Sequence, residues 1–316
     1  MMRFTVWGAR GSYPTPITPQ ALRSKITSIV QRIKPSDLAS VDSRERFLAS
    51  LPPWLFGTTG GNTACVDLAF EDGNRVIFDA GSGIIGLGLS LLKQDPPPTE
   101  LHIFFTHFHY DHIQGLPFLP QAYNPSIAVH FYSPLDRLYE KLSGQMKTPY
   151  YPITMDDKMS GNLHFHQLPP EGIELYGRRI RWRELNHPGR AFGYRVDEGD
   201  RSFGYITDIE LREQDFEKSV ENKKFFEGLD AMILDTQYTL DEAIEKHDWG
   251  HSSFSLGVDF AVAWNISNMY MFHHEPLYSD KKLDQNLQSA RWYAKRIGGN
   301  NLEIELATEG VTIDVG

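Results

Sequence analysis

Three histidines and an aspartate fall within six positions, His107-Phe108-His109-Tyr110-Asp111-His112, directly after the mostly apolar run at 101–106. At this chain's His and Asp frequencies such a string arises by chance in roughly one comparable chain per thousand. A short buried strand ending in that string places it in a loop at the strand's C-terminal edge. His107 and His109 stand at i and i+2 and point the same way, as two ligands of one metal require. Asp111 and His112 come after the chain turns, within reach of a second metal nearby. Imidazole combined with hard oxygen suits Zn²⁺, and equally Fe, Mn or Co.

The rest of the sequence bounds what can carry that loop. With 316 residues, 41% of them hydrophobic, the chain has ample material for a large core. Charged residues at 23% and aromatics at 12% exclude general disorder. A single cysteine, Cys65, excludes an intramolecular disulfide framework and a cysteine-rich zinc module, and reads as a small core residue. No apolar run approaches about 18 residues, so no membrane span is expected. The first residues read as a strand without an apolar leader, which makes a cytoplasmic location the default. The net charge of −10 argues against a generic nucleic-acid binder, though a local basic cleft stays open.

Patterning gives strands at 2–8, 63–70 and 75–79, the last two joined as a hairpin through Glu71-Asp72-Gly73-Asn74. Residues 15–58 differ from their surroundings. Three prolines lead into a helix at 20–34 with Leu22, Ile26, Ile29, Val30 and Ile33 on one face. A second helix follows, capped by Ser36 or Asp37 and ending before Pro52-Pro53. This is a helical insertion between strands, either a peripheral hairpin or a lid. Further helices are expected at 83–92, 134–142, 211–223, 253–264 and 283–296. Strands are expected at 101–106 and 127–132, then as an antiparallel series over 163–207, then at 231–234 and 268–272. A closing hairpin is expected from 302–307 and 311–315. Two sheets packed face to face with helices outside accommodate this order.

The chain resembles the metallo-β-lactamase-fold hydrolases, most closely the branch near ribonuclease Z and the phosphodiesterases. The resemblance is carried by residues 3–12, Gly60-Gly61-Asn62-Thr63, Phe78-Asp79-Ala80-Gly81-Ser82-Gly83 and residues 107–115. It continues in His187, Tyr205-Ile206-Thr207-Asp208, Gly250-His251-Ser252-Ser253 and Phe272-His273-His274-Glu275-Pro276. It implies an α/β chain, a four-layer αββα sandwich over 1–316 with 15–58 inserted. It also implies two divalent metal ions, Zn²⁺ first, with Mn²⁺ or Fe²⁺ as alternatives. His107, His109 and His187 would hold one; Asp111, His112 and His273 would hold the other; Asp208 would bridge them. Locally, His187, Asp208 and His273 each follow an expected strand, which suits ligands gathered along one edge.

In that branch a histidine in a Gly-His-Ser context acts as general acid or phosphate-binding group, which here is His251. Asp235-Thr236-Gln237 replaces the branch's His-Glu-Ala, so the glutamate that would support His251 is missing, and Asp235 or Asp248 must substitute. Asp111 is a second catalytic candidate, as acceptor of the nucleophile's proton. The implied reaction is attack by a metal-bridging hydroxide on a small phosphodiester or cyclic nucleotide. RNA is less favoured, given the acidic balance and the lack of a Gly/Pro-rich basic arm. A carboxylic-ester, thioester or lactone hydrolase on the same site is the alternative, and a metal-stabilised binding protein a third reading. A homo-oligomer remains open.

Several residues carry two readings. Asp79 supports a ligand or caps the helix beginning near Ser82, and Asn62 is similar. Tyr110 faces substrate or packs on a neighbouring strand. Arg179, Arg181 and Arg183 alternate along a strand and bind phosphates or guard a sheet edge. His102, His130, His164, His166 and His247 lie in no motif and read as ordinary histidines.

Overall fold

The computed structural model describes residues 2–159 and 161–316; Met1 and Ser160 lie outside it. The strands are β1 (Met2–Gly8), β2 (Cys65–Phe70), β3 (Arg75–Phe78), β4 (Glu100–Phe104), β5 (Ala128–Ser133), β6 (Leu163–Gln167) and β7 (Ile173–Leu175). They continue as β8 (Arg178–Leu185), β9 (Ala191–Glu198), β10 (Arg201–Ile206), β11 (Ala231–Asp235), β12 (Asn268–Phe272), β13 (Glu303–Leu306) and β14 (Thr312–Val315). In β1 the side chains alternate, Met2, Phe4 and Val6 turning into the core. In β11 all five residues are buried, and the first four, Ala231 to Leu234, are the continuous apolar run expected of a parallel strand covered on both faces.

One sheet runs β14-β1-β2-β3-β4-β5-β6 and the other β13-β12-β11-β10-β9-β8-β7. Each is antiparallel at one side and parallel at the other. β3 through β6 and β10 through β13 are the parallel runs. Aromatic side chains fill the space between the sheets, with Phe78 stacked on Tyr205 at 5.0 Å and Phe4 edge-on to Tyr270 at 4.9 Å. Each such ring contributes about 1.5–3 kcal/mol by leaving water. Outside the first sheet, Ile77, Leu101, Ile103, Val129 and Phe131 pack under helices Gly83–Leu91 and Leu138–Gly144. Outside the second, Met232, Leu234 and Met269 pack under helices Phe254–Ala263 and Asp280–Arg296. The result is the four-layer αββα arrangement.

Four local expectations are corrected. β6 does not begin an antiparallel series; it joins the first sheet parallel to β5. The two strands at the end of the chain are not a hairpin: β13 pairs with β12, whereas β14 crosses to pair with β1. The helix expected over 211–223 is two short helices, Glu213–Phe216 and Val220–Phe226, the second capped by Ser219. After the first inserted helix comes a 3₁₀ turn, Pro35–Leu38, and then Val41–Ala49, whose cap is Ser40.

The inserted helix Pro19–Val30 starts where the Thr18 hydroxyl accepts the Ala21 N–H at 3.1 Å. Lys25 ties it down, donating to the carbonyls of Trp54 and Gly57, both at 2.6 Å, and to Asp280 at 2.5 Å. Its apolar face is not buried: Leu22, Ile26 and Val30 are 48%, 52% and 58% exposed. Among the described residues no helix is long and apolar enough to cross a membrane.

Candidate metal centre

Parallel strands discharge their loops on one side, so β3, β4, β10 and β12 deliver residues to a common edge. Asp79 follows β3, the 107–112 segment follows β4, His187 follows β8, Asp208 follows β10 and His273 follows β12. Three of these leave their strands in the left-handed region, Asp79 at φ +58°, Asp208 at +57° and His273 at +57°. Such a conformation costs a non-glycine residue roughly 1–2 kcal/mol. It reverses the chain at once and turns the side chain across the sheet edge. Gly11 is needed opposite: a Cβ there would fall 2.4 Å from His273 Nδ1.

All seven side chains expected as metal ligands converge. His107, His109 and His187 offer donor atoms within 4.8 Å of one another, and so do Asp111, His112 and His273. His187 Nε2 lies 3.2 Å from His109 Nδ1. Asp208 stands between the groups. Its Oδ1 is 3.7 Å from Nε2 of both His107 and His187 and 3.3 Å from His273 Nε2, while its Oδ2 is 3.2 Å from His112 Nε2. Asp111 Oδ2 is 3.2 Å from His273 Nε2 and 3.4 Å from His112 Nε2.

Partners on the far side hold the rings. Asp79 Oδ2 binds His112 Nδ1 at 2.8 Å, Thr106 Oγ1 lies 3.0 Å from His107 Nδ1, and the Gly250 carbonyl holds His187 Nδ1 at 2.9 Å. Gln237 Oε1 holds His273 Nδ1 at 3.1 Å. Asp79 is itself fixed, accepting from the Thr106 N–H at 2.8 Å and the Tyr205 hydroxyl at 3.1 Å. The Ser12 N–H donates to Asp111 Oδ2 at 2.8 Å. Metal-binding histidines usually have their other ring nitrogen engaged in this way.

The electrostatics agree with a cation site. Burial pushes His107, His109 and His187 down, keeping them neutral with lone pairs free. Burial would raise Asp208, but His112, His273 and His107 overcome it and hold the carboxyl well below the usual range. Nε2 of His107 and of His112 is buried without any hydrogen-bond partner. Such orphans call for an explanation. Two imidazole nitrogens turned on a shared carboxylate without a formed hydrogen bond fit a divalent ion, which would satisfy both.

Beside this group, His251 Nδ1 binds Asp235 Oδ2 at 2.7 Å. Its ring stacks on His273 at 4.7 Å and stands 5.1 Å from the His187 ring. Asp235 thus occupies the supporting position, whereas Asp248 pairs with Arg212 at 2.5 Å. Of the residues with two readings, Asp79 goes to His112 and caps no helix. Asn62 stays away, bridging Glu309 and Ser82. His274 turns from the site and binds the Ala307 carbonyl at 2.9 Å. Tyr110 is 75% exposed rather than packed. Arg181 is consumed by Asp197 at 2.6 Å, and Arg183 binds Asn222.

Gln237, Thr106 and Tyr205 also brace the site, roles that their place in the sequence does not assign. Thr106 had a visible signal in its place directly before the first ligand. Gln237 lay within the Asp235-Thr236-Gln237 departure, and only the fold reveals what it touches.

Residues 74–274 match the family model of the beta-lactamase superfamily domain. Among curated proteins, the chain is 28% identical over 165 residues to a ribonuclease Z of Pyrococcus abyssi, covering 48% of this chain and 50% of the relative. It is 34% identical over 163 residues to a ribonuclease Z of Limosilactobacillus reuteri, covering 48% of each. The chain therefore spans about half the length of these curated relatives. Among solved structures, a diphosphatase from the PhnP family superposes with a TM-score of 0.65 at 18% identity, covering 100% of this chain and 98% of the other.

Proposed function

Because the chain belongs to the β-lactamase superfamily, we propose that it is a dinuclear metal-dependent phosphodiesterase acting on a small phosphodiester or cyclic nucleotide. One observation carries the reading. Two histidine-rich donor groups share Asp208, and a histidine backed by a carboxylate, His251 with Asp235, stands beside them. The ribonuclease Z relatives point to the same bond type.

Two divalent cations, Zn²⁺ first among those the donors suit, would be held by His107, His109 and His187 and by Asp111, His112 and His273, where they would neutralise phosphoryl charge and acidify a water near neutral pH. The protein's own groups supply the rest. Asp79, Thr106, Gln237 and the Gly250 carbonyl orient the imidazoles before substrate arrives, so little reorganisation is left to the reaction. With Nδ1 engaged by Asp235, His251 presents Nε2 toward the donor groups. There it hands a proton to the departing oxygen, and the Asp235 carboxylate balances the charged ring. Asp111 keeps Oδ2 on the Ser12 N–H, and its other oxygen is the acceptor for the attacking water's proton. A small substrate is favoured over RNA because, of the three arginines alternating along β8, Arg181 and Arg183 are occupied by protein partners and Arg179 alone stays exposed, and because the net charge is −10.

The test compares two variants. His109→Ala should lose both metal and activity. His251→Ala should retain metal and lose turnover by roughly 10²–10⁴-fold. Equal metal loss in both contradicts the role given to His251. Assaying the metal-loaded protein on bis(p-nitrophenyl) phosphate, thymidine 5′-p-nitrophenyl phosphate, 3′,5′-cyclic AMP, a thioester and a lactone decides substrate class. Turnover of the thioester or lactone alone would overturn the phosphodiesterase reading.

A further inference from the structure

Four histidines outside the centre are not scattered. β4, β5 and β6 run parallel in a register that sets His102 opposite His130 and His130 opposite His164, while His166 faces Tyr132. The rings form a ladder on the face turned toward the other sheet. His102 stacks on His130 at 4.7 Å with 5° between planes, and His130 stacks on His164 at 4.6 Å. Glu100, at the start of β4, closes one end, with Oε2 3.6 Å from His102 Nε2 and 3.9 Å from His130 Nε2. The donor atoms of Glu100, His102 and His130 all lie within 4.8 Å of one another.

We propose that Glu100, His102 and His130 form a second, separate metal site taking one borderline divalent cation such as Zn²⁺, Ni²⁺ or Cu²⁺. Two imidazoles and a carboxylate are the donor set such ions select. The rings are also held as ligands are held. His102 Nδ1 is engaged by the Tyr132 hydroxyl at 2.9 Å and His130 Nδ1 by His166 Nε2 at 3.0 Å, which leaves Nε2 of each ring facing Glu100. Burial keeps His102 and His130 from charging, His102 being pushed down to about 4, so neither ring needs to shed a charge to bind. The Tyr176 hydroxyl sits at the same point, donating to Glu100 Oε1 at 2.6 Å and lying 2.6 Å from His102 Nε2. It must swing aside or become a further ligand. The two sites share no residue: His102 lies inside β4, whereas His107 stands three positions beyond the end of that strand at Phe104.

The experiment is equilibrium dialysis of the full-length protein against Zn²⁺, with metal counted by mass spectrometry. The readout is the difference between wild type and variant, so it holds whatever the first centre retains. The doubly substituted His102→Asn, His130→Asn protein should bind one equivalent less than wild type, with hydrolysis of bis(p-nitrophenyl) phosphate unchanged. Glu100→Gln, at a half-exposed side chain, should weaken that equivalent at least tenfold. With Cu²⁺, the double variant should lose the nitrogen hyperfine contribution of the ladder's two imidazoles, leaving only the signal of the loop centre. Identical stoichiometry and affinity in wild type, the double variant and Glu100→Gln overturns the proposal. Should the double variant fail to fold, Glu100→Gln alone decides.

Discussion

The chain holds two groups of histidines built by opposite means. The first group stands beyond strand ends: its members follow β4, β8 and β12 on loops and, for Asp111 and His112, on the one-turn helix Tyr110–Ile113, while Asp79, Asp208 and His273 are left-handed. The second stands within regular strands, where register alone aligns His102, His130 and His164. Loops allow donors to surround a point and meet around Asp208. A ladder offers its donors along one line, and needs Glu100 to close the end. A crowded, strained loop cluster can hold two ions, whereas the ladder suits one.

That contrast can be broken most severely at its centre. Asp208→Ala removes the carboxylate between the two donor groups, and elemental analysis should find the loop site emptied and hydrolysis abolished, with the ladder still able to bind. Retention of a full metal complement would break the first half of the comparison. Asp79→Asn leaves every donor in place but loosens the His112 ring, and metal affinity should fall about 10–100-fold by competition with a chelator. An unchanged affinity would mean the ring is held by packing alone.

Proton release sharpens the comparison. Burial alone would lower His273, but Asp208, Asp111 and Asp235 outweigh it and lift the ring to about 9. Without a cation the ring is therefore charged at neutral pH. Its ion pairs contribute stability in full below the ordinary histidine value of about 6.5, and that contribution is lost as pH rises through about 9. Cation binding at the loop site should release this proton, and affinity should climb with pH until about 9. Calorimetry in buffers of different ionisation enthalpy measures the release, and none at pH 7 would contradict the charged ring. The smallest effect belongs to His130→Asn, which should leave hydrolysis within about twofold, since sites that share no residue act nearly independently.

The two groups also differ in how far the sequence disclosed them. The loop donors were legible in two ways: His107, His109, Asp111 and His112 lie within six positions, and His187, Asp208 and His273 were implied by the family resemblance, each just after an expected strand. The ladder was not, because its members are far apart in the chain and meet only through parallel pairing, which residue order does not specify. The same blindness misplaced β14. Two strand-like segments with a short connection look like a hairpin, and only the packed sheets reveal that one partner is β12 and the other β1. The helix Pro19–Val30 was legible as a helix, but the burial state of its apolar face was not. Leu22, Ile26 and Val30 recur at helical spacing, but periodicity states that a face is apolar and not that anything covers it. Asp235 was one of two candidates to support His251, and what separates it from Asp248 is the 2.7 Å contact at the end of β11.

The crossing of β14 has a mechanical meaning. Sheet one is otherwise assembled from the front of the sequence and sheet two from the back, so the donors contributed by each half meet at a seam. β14 leaves the rear half and is laced onto β1, with Val315 buried between the sheets. It works as a stitch across that seam, so a change at Val315, remote from every donor, would be felt as slack in the distance between the two halves of the centre.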